Sequence, residues 1–196
     1  MKLRLISILI AFSQVTAFAD EATKAFDASI DHYTKLRVSV YGSTEYSPAW
    51  GNEDERNAAI KLHEEEKLVE FIEASDAWLK KMPIDIQMHY VRSFALLRLG
   101  RHSEYARSFA IYTGLIASVM SKGDGRTPET AFPVISTKEE YAVLNELRLD
   151  FVEQSLEQGR DKMKCKDVDG NEVFVYFDVS AILKKYRETL KPDKAE

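Results

Sequence analysis

Cysteine is almost missing from this chain. Cys165 stands alone among 196 residues, so no intramolecular disulfide can form and the core must hold the fold. A lone cysteine on a lysine-flanked stretch reads as a small buried apolar residue; a reactive thiol or an intermolecular link is the alternative. Long apolar runs are missing too. Leu5 to Phe12 is apolar apart from Ser7, well short of the roughly 20 residues that span a bilayer. Basic residues are outnumbered, with 27 Lys and Arg against 32 Asp and Glu and a net charge of −5. That balance argues against nucleic acid and against anionic membrane surfaces, both of which recruit basic patches.

Catalytic spacings are lacking as well. No Gly-x-Ser-x-Gly elbow occurs, and Cys165 has none of the neighbours of a cysteine nucleophile. Gly123-Asp124-Gly125 has no following lysine and helix to make a phosphate loop. His63 precedes Glu64, Glu65 and Glu66, but Lys67 stands where a zinc protease needs its second histidine. The run therefore reads as a solvated acidic face. His32, His89 and His102 share no ligand spacing. Nothing calls for a cofactor.

What is present begins with an export signal. Lys2 and Arg4 precede the short apolar run, and Ala17-Phe18-Ala19 offers small residues at the two positions signal peptidase reads. Residues 1–19 are expected to be cleaved after Ala19. The net charge then becomes −7, because Lys2 and Arg4 leave with the leader, and 177 residues remain. That length suits one domain. The destination is the periplasm or the exterior, and the mature chain is expected to hold no membrane span.

The mature chain changes character near residue 123. Residues 20–122 read as helical. A first helix over 21–41 carries Phe26, Ile30, Tyr33, Val40 and Tyr41. A turn-rich segment follows, from Gly42 to Asn52, holding Tyr46 and Trp50. Asn52 and Glu55 open the next helix, which shows Leu68, Phe71, Ile72, Ser75, Trp78, Leu79 and Met82 on one face and stops before Pro83. A third helix, Asp85 to Leu99, aligns Ile86, Tyr90, Phe94 and Leu97. A fourth, Ser103 to Ser121, aligns Tyr105, Phe109, Tyr112 and Ile116. Gly123 is placed to cap it in a left-handed conformation.

Residues 123–191 read as a small α+β region. Ala131 to Ile135 is β-prone. Ser136 with Glu139 and Thr137 with Glu140 are overlapping capping boxes. Leu149 to Leu156 fits strand or helix. Lys162 to Lys166 and Val173 to Phe177 read as strands around an Asp169-Gly170 hairpin turn. Asp178 or Ser180 caps a last helix, and residues 192–196 form a charged tail expected to be disordered. The fold class is α+β: antiparallel helical hairpins, then a small, mostly antiparallel sheet with one or two helices.

Two resemblances carry the reading further. Pro83, the Leu99-Gly100-Arg101 turn, Ser93 and Phe109 resemble a tetratricopeptide repeat, although Tyr105 replaces its alanine and no second clean copy follows. Gly123-Asp124-Gly125, Thr127, Thr130 to Ser136, Glu139-Glu140-Tyr141, Asp169-Gly170 and Tyr176 to Ser180 together resemble an exported bacterial family called domain of unknown function 4919. This resemblance implies the architecture and the exported location, and no activity.

Function reads first as an exported, non-catalytic binding or interaction module of the cell envelope, taking a protein or peptide partner through its helical half. The alternative is a hydrolase with carboxylates in a cleft, its candidates being Gly123, Asp124, Gly125, Arg126, Thr127, Glu139, Glu140, Tyr141 and Asp178. A minor reading is a calcium loop through Asp167, Asp169, Asn171 and Asp178 at places one, three, five and twelve. Glu172 occupies place six, where that loop needs glycine, and the apolar run after it favours a hairpin turn.

Overall fold

The computed structural model describes residues 2–43, 46–47 and 53–189, with side chains from Glu21 onward, Ala22 and Thr189 excepted. Trp50, Asn52 and residues 192–196, each singled out above, lie outside the described residues.

Five helices come first: α1 (Lys2–Gly42), α2 (Asp54–Glu64), α3 (Leu68–Lys81), α4 (Ile86–Arg98) and α5 (His102–Met120). A short 3-10 turn (Pro128–Thr130) leads into β1 (Phe132–Pro133) and α6 (Thr137–Glu146). Then come β2 (Asp150–Glu157), β3 (Arg160–Lys166), β4 (Glu172–Asp178) and α7 (Ser180–Thr189). The sheet order is β1-β4-β3-β2, with β1 parallel to β4 and the other two pairs antiparallel. The fold is α+β, as the sequence implies. Among the described residues, no helix is long and apolar enough to cross a membrane.

Several local expectations need correction. α1 starts at Lys2 and runs continuously past Ala19. The helix expected to lead from Asn52 to Met82 is two helices, broken where Glu66 adopts a left-handed φ of 60°. Gly123 is not the left-handed cap: Ser121 ends α5, and Gly125 carries the positive φ of 67°. β1 is only two residues long. The ambiguous segment after Leu149 is a strand, because Gln158 and Gly159 both take positive φ and form a tight hairpin turn that folds β2 back on β3.

Tight turns and one buried carboxylate set the helical layer. Gly100, with a φ of 72°, ends α4 and lets α5 fold back against it. Asp85 caps α4, accepting from the Met88 amide at 2.9 Å. The same carboxylate accepts from Arg56 Nε and Trp78 Nε1, each at 2.8 Å. It is fully buried, so one side chain ties α2, α3 and α4 together.

α1 docks on α5 at Gly114. A Cβ there would lie 2.1 Å from the Tyr33 ring, so only glycine admits that ring so close. A second buried ion pair joins the halves: Arg37 Nε and Nη2 each donate to Glu139 at 2.7 Å. Arg37 also reaches the Pro133 carbonyl at 3.0 Å. Phe71, Met88, Leu96 and Leu115 on the helical side and Phe132, Met163, Cys165 and Phe177 on the sheet side belong to one continuous core.

Candidate binding groove

The residues of the proposed cleft are brought near one another only in part, and their carboxylates already have partners, Asp124 within its own turn and Glu139 and Asp178 from distant segments. Asp124 Oδ1 accepts from the Thr130 hydroxyl at 2.6 Å and from the Arg126 amide at 3.0 Å, which holds its carboxyl below the usual range. The Thr127 side chain and Thr130 cap each other's backbone. Gly123 and Gly125 let the turn press flat: a Cβ would stand 2.2 Å from the Thr130 carbonyl at the first and 2.3 Å from the Phe132 ring at the second. The Gly125 carbonyl accepts from the Tyr176 amide at 2.8 Å, which pins the turn to β4. Asp178 accepts from Arg160 at 3.1 Å and from the Ser180 hydroxyl at 2.5 Å.

The two glutamates point inward. Glu139 is fully buried against Arg37, and instead of closing its capping box it reaches past Ser136 to accept from the Ile135 amide at 2.9 Å. Glu140 is 1% exposed and donates a hydrogen bond to Asp161 of β3. Burial first, then the neighbouring carboxylate, pushes the Glu140 carboxyl up to about 9. Tyr141 points outward and packs edge-on against Phe151.

The calcium candidates separate. Asp167 Oδ1 accepts from the Asp169 and Asn171 amides at 3.0 and 2.8 Å, and its Oδ2 from the Asn171 side chain at 3.0 Å. Those bonds build the β3–β4 turn, completed by Gly170 with a φ of 83°. Asp178 sits at the far end of β4, paired with Arg160 across the strands. Among the described residues no cluster of three or more ligating side chains fits a metal.

The open site lies elsewhere, where α6 meets the α4–α5 hairpin. A cavity of about 540 Å³ opens there. Ile86, Val91 and Ala142 contribute its apolar lining, and Tyr90 and Tyr112 its aromatic lining. Gln87, Asn145, Glu146 and Arg148 contribute its polar lining. Tyr112 donates from its hydroxyl to Glu146. Burial, then that hydrogen bond to a carboxylate, raises the Tyr112 pKa, so it stays a neutral phenol that orients Glu146. The Gln87 carbonyl is occupied by Arg56 at 2.6 Å, which leaves its NH₂ to face outward contacts. Arg148 has no ion-pair partner among the described residues and is held at a left-handed φ of 56° just past α6.

An aromatic stripe runs up to this cavity. Tyr90 lies 4.9 Å from Phe94 and 5.0 Å from Tyr112, centre to centre; Phe109 lies 5.7 Å from both Tyr112 and Tyr105. Tyr90 and Phe94 are 42% and 39% exposed. The i, i+4 spacing of Ile86, Tyr90 and Phe94 reads as a core face, but α4 buries Met88, His89, Ser93 and Leu96 alongside Ile86. The expected stripe is correct as a helical face; only the structure shows that its aromatic part is a surface. Asn145 and Arg148 carry no signal in the sequence, because they reach the site through the placement of α6.

These features define an α+β domain in which a helical hairpin and a crossing helix frame an open groove. Residues 29–188 match the family model described as domain of unknown function (DUF4919), and the chain belongs to that family. No curated protein and no solved structure matches the chain.

Proposed function

We propose that this protein is an exported, non-catalytic binding module of the cell envelope whose ligand seats in the groove between α4, α5 and α6. One contrast carries the reading. The polar groups of the Gly123–Thr127 turn and of the Asp167–Asn171 turn are engaged within their own turns. Those of the groove are oriented but open, beside exposed aromatic rings. A cavity of this volume falls within the roughly 300–1,000 Å³ of small-ligand sites. A hydrolase built on Glu139 and Glu140 draws no comparable support, since both side chains are buried and one is neutralised by Arg37.

Export is tested by sequencing the N-terminus of the protein recovered from the cell envelope or medium. A start at Asp20 is expected, and an intact Met1 in that fraction refutes export by cleavage. Binding is tested by adding fractionated envelope extract to isotope-labelled protein. Resonance shifts should concentrate on Gln87, Tyr90 and Asn145 and vanish in Ala142→Phe, which fills the floor. Shifts confined to the Gly123–Thr127 turn, or none with any fraction, would overturn the groove reading.

A further inference from the structure

We propose that the ligand of this groove is a neutral oligosaccharide, with a pyranose ring lying on Tyr90 and its hydroxyls held by Gln87, Asn145, Glu146 and Arg148. The inference rests on the groove being the binding site and adds the ligand's chemical class.

The polar groups select for a ligand that both donates and accepts. Glu146 only accepts, and Tyr112 already fixes one of its oxygens. Gln87, its carbonyl taken by Arg56, offers donors. Arg148 only donates, and Asn145 does both. A sugar hydroxyl is donor and acceptor at once, so vicinal hydroxyls satisfy such a mixed array without leaving a partner unmet. The opposed charges of Glu146 and Arg148 disfavour a charged ligand of either sign, which one of them would repel.

The apolar lining fits the same ligand. A peptide anchor wants a deep pocket for an aliphatic or aromatic side chain. Here Ile86 and Ala142 are already buried in the protein's own core and leave little free apolar surface to grip such a side chain. The exposed surface is instead the Tyr90 ring, 42% accessible and braced by Phe94 and Tyr112. A braced, exposed ring is a platform for the C–H face of a pyranose. Its bracing also lowers the ordering cost of binding.

Calorimetric titration of the full chain tests the proposal with maltotriose, cellotriose and tri-N-acetylchitotriose, and with a tri-uronate and an Ala-Leu-Ala tripeptide as contrasting arms. Binding of at least one neutral trisaccharide is expected, with the tri-uronate weaker. Tyr90→Ala should weaken that binding by about tenfold or more, the worth of one stacked ring. Glu146→Gln should weaken it while the melting temperature stays near the parent's. No binding of any neutral trisaccharide at millimolar concentration overturns the ligand class, as does preference for the tri-uronate or the tripeptide. If the Ala142→Phe-sensitive shifts with envelope extract persist in that case, the groove reading survives and only the ligand class falls. If those shifts are absent too, both fall.

Discussion

Asp85 shows how much one side chain can decide. Its carboxylate closes the N-terminus of α4 and neutralises Arg56, which is itself 5% exposed. Asp85→Ala should cost about 3–5 kcal/mol, because it strands a buried guanidinium, and should lower the melting temperature sharply. Asp85→Asn keeps a cap acceptor and should cost less. Glu140 makes the opposite kind of statement. Its carboxyl ordinarily titrates near 4.5 and here near 9, so the folded chain holds a proton that the unfolded chain releases between those values. Stability therefore falls as pH rises through that window. Glu139, engaged by Arg37, and Asp161 are the charged groups that face it. Glu140→Gln keeps a donor for Asp161 and removes the titration. It should raise the melting temperature at pH 8 and leave it little changed at pH 4.5, as thermal unfolding at the two values will show. An equal effect at both would refute the linkage.

Among the elements, α1 depends on a missing side chain on another helix. Gly114→Ala places a methyl group inside the volume of the Tyr33 ring. It should cost about 1–3 kcal/mol, the usual range for overpacking, and release α1 from α5 before the rest of the fold loosens. Faster amide exchange at residues 30–40 than in α3 would show that order. The elements themselves were largely readable. Pro83, Gly100 and the Ser136 cap place the ends of α3, α4 and α6 because each imposes a local backbone or hydrogen-bonding requirement. The break after Glu64 was hidden because Glu65, Glu66 and Lys67 are all compatible with helix, and Glu66 is turned into the left-handed region all the same. The β2–β3 turn had a signal, Gln158-Gly159, but Leu149 to Leu156 lacks the strict alternation that marks a strand. All eight residues of β2 are exposed, so no buried face imposes the period.

Over the whole molecule, the division at residue 123 is one of composition more than of packing. The core runs unbroken from Phe71 and Leu115 to Phe132 and Phe177, and Arg37 to Glu139 bridges it across 102 positions of chain. A fragment ending at Lys122 would expose Ile116 and Val119 and leave Arg37 without its carboxylate. Such a fragment should lack a cooperative unfolding transition, whereas the full chain should unfold in one step. Two separate transitions in calorimetry of the full chain would refute this unity.

The sequence by itself determined the class of fold, the order of nearly all its elements and the fate of Cys165, which is fully buried in β3. Those follow from local requirements: hydrophobic period, caps, turn residues and the lack of a second thiol. The tertiary structure alone decided which polar residues are engaged and which are open. Asp124, Glu139 and Asp178 look equally free in a string of letters, as do Gln87, Asn145 and Arg148. Arg37 and Arg160, 102 and 18 positions away, engage Glu139 and Asp178, and the fold of its own turn engages Asp124, while the crossing of α6 over α4 and α5 gathers the second group around an exposed ring. Partnership across such distances is set by packing, and packing is a property of the folded chain.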